Sequence, residues 1–92
     1  DLTIDITKET TIEEINNLLK NYSENELKNI IGITYDPIVS SDVVRSTFSG
    51  LIDGLATMGI NNKKIKLIIW FDNGWGYAAR IIDTIKRLGQ EL

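Results

Sequence analysis

The stretch "IKLIIWF" (Ile65 to Phe71) constrains this chain more than any other, because it is apolar at nearly every position and rich in β-branched and aromatic residues. Such a run reads as a strand. A strand with one wet face alternates apolar and polar side chains, whereas one that is apolar throughout needs cover on both faces. A chain of 92 residues holds one modest core and no second domain. Cover for the second face is therefore expected from outside these residues, either from further parts of a parent polypeptide or from another subunit.

The rest of the chain arranges itself around that strand. "LTIDIT" (Leu2 to Thr7) alternates with the period of a half-buried strand. In "TTIEEINNLLKNY" the residues Ile12, Ile15, Leu18, Leu19 and Tyr22 fall at helical spacing, and Thr11 with Glu14 forms a capping-box pattern. "SENELKN" could add a polar helical turn. "IIGIT" (Ile30 to Thr34) is a short strand closed by Asp36-Pro37. "IVSSDVVRSTFSG" shows no helical face and reads as extended chain or loop. Residues 48–60 are predicted to be the hairpin partner of Ile65 to Phe71, joined to it by turn chemistry at Asn61-Asn62.

The chain closes with a helix. Ala78, Ile81, Ile82, Ile85 and Leu88 are predicted as its buried stripe, with Arg80, Asp83, Lys86, Arg87 and Gln90 outside. Asp83 and Arg87 are spaced for a surface pair, and Asn73 or Asp72 is the natural cap. The expected architecture is α+β, a mostly antiparallel sheet with helices packed on one face.

Composition narrows the function. Ten basic and 13 acidic residues, interspersed, give a net charge of -3 and no basic face for nucleic acid. No apolar run is long enough to span a bilayer and the N-terminus lacks a signal-peptide pattern, so a soluble, cytoplasmic chain with no membrane partner is expected. There is no cysteine and no histidine, which removes the thiol nucleophile, the commonest general base and the commonest metal ligands. No catalytic residue and no metal ligand set is assigned. The chain begins at Asp1 and its only methionine is Met58, which reads as a product processed or cut from something longer.

Among the carboxylates, Glu13, Glu14, Asp36, Asp42 and Asp53 stand at helix starts and turns, where acidic residues ordinarily cap and solvate. Ser40-Ser41-Asp42 has no base to activate a hydroxyl and reads as a local turn network. Gly50, Gly54 and Gly59 lack the spacing of a dinucleotide fingerprint. "WFDNGWGYAARIID" is different. A strand end passes through Asp-Asn-Gly into a helix, exposing backbone N–H groups and the Asn73 amide, while Trp75 and Tyr77 offer flat surfaces to a ring-shaped ligand. An aromatic-lined corner capped by Asn73 explains the same residues, and composition and spacing weigh the two equally.

Three segments in order, "DLTIDITKETTIEEINNLLK", "ELKNIIGITYDPIVSSD" and "IKLIIWFDNGWGYAARIID", resemble the C-terminal part of the catalytic domain of the glyceraldehyde-3-phosphate dehydrogenase family. That family's usual patterns are close to E-L-K-G-I-L-G-Y-T-x-D-P-x-V-S-S-D and W-Y-D-N-E-W-G-Y-S-N-R-V-x-D, and the likeness covers essentially the whole chain. It implies a parent enzyme that is an NAD-dependent, phosphorylating aldehyde oxidoreductase of glycolysis, working through a cysteine thioester and a histidine base. It also implies a homotetramer whose catalytic-domain sheets pack across subunits. The family's asparagine that hydrogen-bonds the nicotinamide carboxamide falls on Asn73, and its tyrosine beside the nicotinamide ring falls on Tyr77.

The dinucleotide-binding domain, the nucleophile, the base and the phosphate ligands of that family precede the matching region. Residues 1–92 alone are thus expected to be inactive and not to bind NAD. The chain departs from the family pattern at Gly74, where glutamate is usual, at Ala78-Ala79, where Ser-Asn is usual, and through Val43 to Gly50, which matches loosely. Two alternatives stay open: a divergent sugar-phosphate dehydrogenase, such as one acting on erythrose 4-phosphate, and a non-enzymatic oligomerisation module that uses its apolar sheet face.

Overall fold

A computed structural model describes residues 1–91. Its elements are β1 (Leu2–Asp5), α1 (Ile12–Glu24), β2 (Ile31–Thr34), β3 (Gly50–Asp53), β4 (Met58–Asn61), β5 (Lys64–Leu67), β6 (Ile69–Trp70) and α2 (Asn73–Glu91), with a 3-10 turn at Ser40–Val43. The fold is α+β. Its strands form two three-stranded sheets, ordered β1-β5-β4 and β2-β3-β6. All pairings are antiparallel except β2 with β3, which runs parallel.

The single strand expected from Ile65 to Phe71 is two strands. β5 belongs to one sheet and β6 to the other, with Ile68 between them outside both ladders. The reason lies in the side chains. Lys64-Ile65-Lys66-Leu67 alternates, with Ile65 and Leu67 buried and the lysines on the wetter side, so β5 needs one covered face. Lys64 faces Asp5 on β1 at 3.6 Å and Lys66 reaches Asp1 at 3.0 Å. Past Leu67 the alternation ends and the chain turns the corner into the second layer, as strands do when they switch sheets.

Residues 48–60 split in the same way. Ala56 N–H donates to Asp53 O at 3.0 Å and closes a turn after β3. β4 then forms the hairpin with β5 while β3 pairs with β6. At the seam, Asp53 N–H donates to Ile68 O at 2.9 Å.

α1 spans the seam. Thr11 Oγ1 accepts from Glu14 N–H at 3.2 Å, one half of the capping box, but the Glu14 carboxylate accepts from Thr10 Oγ1 instead of returning to Thr11. Residues 25–30 form turns and not more helix, with Asn29 at φ 65°. On the inner face the buried residue is Asn16, whose Nδ2 donates to Gly54 O at 3.0 Å and whose Oδ1 accepts from Thr57 Oγ1 at 2.8 Å.

The apolar core is small: among the described residues Val43, Ile52, Ile65 and Leu67 are buried. The stripe predicted to be buried on α2 is open, with Ile81, Ile82, Ile85 and Leu88 between 43% and 61% exposed. α2 docks only through its first turns. At 19 residues it runs about 28 Å in a molecule whose longest extent is 47 Å, and every residue from Ile81 to Glu91 is exposed. Arg80 is not on the outside as predicted: Nη1 donates to Ser49 Oγ at 3.0 Å and Nη2 to Asn29 O at 3.2 Å. It also takes Asp83 as its partner at 3.0 Å, leaving Arg87 to pair with Glu91 at 3.6 Å.

Candidate functional site: the corner between β6 and α2

Asp72 organises this corner. Its Oδ1 accepts from the backbone N–H of Gly74 and of Trp75, each at 2.9 Å, and its Oδ2 accepts from Arg45 N–H at 3.0 Å. Of the two cap candidates, Asp72 is therefore the one that satisfies the unpaired donors of the helix start. The same carboxylate ties the loop after the 3-10 turn to α2. The Trp75 N–H, then that of Arg45, hold its pKa below the ordinary 3.8, with Gly74 adding to this and burial opposing it.

A depressed carboxylate pKa stabilises the fold above the unfolded value and stops doing so as pH falls through the folded value. The helix start and its loop tether are accordingly expected to loosen as pH drops below 3.8. Relative to the intrinsic amide rate, which itself falls with pH, hydrogen exchange at the Gly74, Trp75 and Arg45 amides should rise together on acidification. An Asp72→Ala chain should show the fast exchange already at neutral pH.

Arg45 sits at φ 69°, the left-handed region. Removing the Cβ relieves about 1–2 kcal/mol of strain in that region, and the extra freedom of an unfolded glycine offsets part of it. Arg45→Gly keeps the backbone N–H to Asp72 and is expected to stabilise the chain by about 0.5–1 kcal/mol, read as a rise in urea midpoint without a change in slope.

Asn73 is the first residue of α2 and Tyr77 lies one turn on, so the two share a helix face. Both are exposed, Tyr77 at 70%. The Asn73 amide makes no hydrogen bond among the described residues, which leaves both its donor and its acceptor for a ligand. Tyr77 borders a shallow open groove with Arg80, Ile81, Thr84 and Ile85, and Trp75 borders another with Gly74 and Ala78. One amide beside one aromatic ring suits the edge of a planar ligand that carries an amide. The opposite wall of such a site is not made by residues 1–91.

Gly76 explains the W-G-Y sequence. A Cβ there would lie 2.7 Å from Phe48 O, so only glycine lets α2 approach the backbone leading into β3. Gly74 is unlike it: a Cβ would meet only Asp72 Oδ1 at 3.7 Å, an ordinary contact, so space at the Cβ does not demand glycine there.

The remaining carboxylates do not converge. Glu13 and Glu14 lie in the first turn of α1, and Asp42 Oδ2 accepts from Val39 N–H at 2.8 Å within its own turn. Asp36 is exposed. Asp53 is buried, with Oδ2 accepting from Trp70 Nε1 at 3.3 Å and Oδ1 without a partner among the described residues. No group of three or more potential metal ligands gathers among the described residues, and no described helix is long and apolar enough to cross a membrane.

Sequence reasoning missed Asn16, Arg80 and the dual role of Asp72. The position of Asn16 was readable, since it lies among Ile12, Ile15 and Leu19 on one helix face. The reach of Arg80 to Ser49 and Asn29, 31 and 51 residues away, left no local signal.

Residues 1–73 match the family described as glyceraldehyde 3-phosphate dehydrogenase, C-terminal domain. The chain is 47% identical over 88 residues to the glyceraldehyde-3-phosphate dehydrogenase of Thermotoga maritima, an alignment that covers 96% of this chain and 26% of that protein. It is 46% identical over 85 residues to that of Aspergillus niger, covering 92% and 25%. Against the cytosolic enzyme of Pisum sativum it is 39% identical over 92 residues, covering 100% and 27%. The chain spans about a quarter of the length of these curated relatives.

Proposed function

The chain belongs to the glyceraldehyde-3-phosphate dehydrogenase family, its residues 1–73 matching that family's C-terminal domain, and on that premise we propose that it supplies one wall of the nicotinamide site of a phosphorylating, NAD-dependent dehydrogenase of glyceraldehyde 3-phosphate. The observation that carries this reading is the pairing of Asn73 and Tyr77 on one exposed helix face, set in place by the Asp72 cap. The Asn73 amide has a donor and an acceptor to offer a carboxamide, and the Tyr77 ring limits where the ligand ring can lie. NAD, when bound, accepts the hydride of aldehyde oxidation. The nucleophile and the base come from elsewhere in the parent polypeptide, because residues 1–92 contain neither cysteine nor histidine. The isolated chain has no turnover and does not retain NAD.

The open stripe Ile81, Ile82, Ile85 and Leu88 supports the same reading, as a surface seated on the remainder of the parent. Assembly is a homo-oligomer, a tetramer in the glycolytic enzyme of the cytoplasm, with subunits meeting through the sheet face. The decisive observation is the coding sequence upstream of Asp1. A reading frame with no dinucleotide fingerprint, and no cysteine followed by a histidine, would sink the proposal.

The same exposed stripe favours one other reading, a non-enzymatic module that self-associates. Size-exclusion chromatography of the 92-residue chain and of its Ile85→Glu variant separates them: a discrete dimer or tetramer that the charge in the stripe dissolves favours the module, and a monomer, or an oligomer that Ile85→Glu leaves intact, counts against it. Choice between glyceraldehyde 3-phosphate and erythrose 4-phosphate rests on residues outside this chain.

A further inference from the structure

Asn73-Gly74 is the only Asn-Gly pair in the sequence; every other asparagine precedes Asn, Leu, Tyr, Glu, Ile or Lys. An asparagine side chain can be attacked at its carbonyl carbon by the backbone nitrogen of the next residue. The side chain of that next residue normally shields the approach. At Gly74 there is none, and the space a Cβ would occupy holds nothing nearer than Asp72 Oδ1 at 3.7 Å. Asn73 is also exposed, and among the described residues its amide is held by no hydrogen bond. One contact opposes the reaction: the Gly74 N–H, whose nitrogen would attack, donates to Asp72 Oδ1 at 2.9 Å.

We propose that Asn73-Gly74 is a site of spontaneous covalent modification that turns the Asn73 amide into a carboxylate, and that the Asp72 cap is the guard that sets its rate. In the first step the Gly74 nitrogen forms a bond to Asn73 Cγ, and the amide nitrogen leaves as ammonia, giving a cyclic imide. In the second step water opens the imide at either carbonyl. One opening gives aspartate and the other gives isoaspartate, with the main chain rerouted through the side chain. Solvent water is the only co-reactant and no electrons are transferred.

The guard yields when the helix end frays, which frees the Gly74 nitrogen. Asp72 divides its two oxygens among three backbone donors, so the guard is shared with the Arg45 loop, and loosening that loop weakens it. An aspartate product places negative charge at a helix N-terminus, where it is favourable, so the fold accepts it. In the aspartate product what is lost is the side-chain donor, and on the proposed reading of Asn73 this would weaken the grip on the carboxamide without unfolding the chain; the isoaspartate product also lengthens the main chain at the first residue of α2.

The test is to hold the folded chain in mildly alkaline buffer at physiological temperature and follow each asparagine by peptide mass mapping, with circular dichroism confirming the fold. The expected result is the amide-to-acid mass gain at Asn73 ahead of every other asparagine, with both aspartate and isoaspartate formed. Gly74→Glu should reduce it to the background of the other sites. Asp72→Ala should speed it several-fold, while Asp72→Ser, which can still cap, should stay near the parent rate. Asn73 changing no faster than Asn62, or at the same rate in the Gly74→Glu chain, overturns the site. An unchanged rate in the folded Asp72→Ala chain overturns the guard. The readout is a mass at one residue, so it can fail or succeed independently of the cofactor assignment.

Discussion

Asn16→Ala is expected to destabilise the chain by about 1.5–5 kcal/mol, the sum of two buried polar groups left unpaired at about 1–3 kcal/mol each, less the helix-propensity gain of alanine of up to about 0.7 kcal/mol. The groups are Gly54 O and the Thr57 hydroxyl, which Asn16 joins from α1 at 3.0 and 2.8 Å. They lie in the turn between β3 and β4, where the chain leaves one sheet for the other. Losing Asn16 therefore loosens the relation between the two sheets as well as one helix contact. The matched control is Asn17→Ala, at the exposed neighbouring position, which makes the same propensity change and should stay within about 0.5 kcal/mol. Urea unfolding of both decides the matter. Equal midpoints would mean that the buried bridge contributes nothing.

Gly76→Ala is expected to have the opposite sign from an ordinary helix substitution. Glycine to alanine in a helix interior gains about 0.5–1 kcal/mol, and Gly89, with nothing within 4 Å of its would-be Cβ, should show that gain. At Gly76 the new methyl group meets backbone, Phe48 O at 2.7 Å, which cannot move as a side-chain tip would. The helix must lift away, at a net cost of about 1–3 kcal/mol. Lifting it also stretches the Arg80 bonds to Ser49 and Asn29. Denaturant titrations of the two alanine variants should move in opposite directions. A stabilised Gly76→Ala chain would show that α2 does not rest on that backbone.

Much of the local structure was legible in residue order. The Thr11 cap, the Ile12–Glu24 helix, the strand at Ile31–Thr34 and the aspartate turn at Asp42 follow from side chains acting within a few positions of one another. The candidate site was legible in part. The segment through Asn73 and Tyr77 announces a strand passing into a helix, but either Asp72 or Asn73 could have been the cap. The carboxylate of Asp72, one position earlier, is the one that reaches the Gly74 and Trp75 donors.

What the sequence alone determined is the α+β class, the kind and order of most elements, and the family resemblance with the two positions it marks. Tertiary structure decided the rest. It split Ile65 to Phe71 between two sheets, opened the Ile81 to Leu88 stripe, recruited Arg80 and Arg45, and made Gly76 irreplaceable. The physical reason is range. Periodicity and capping are written in neighbours a turn or a pleat apart, whereas sheet membership and helix docking depend on partners tens of residues away. An apolar stripe records only that a face would gain from cover, and the surface that provides the cover lies elsewhere.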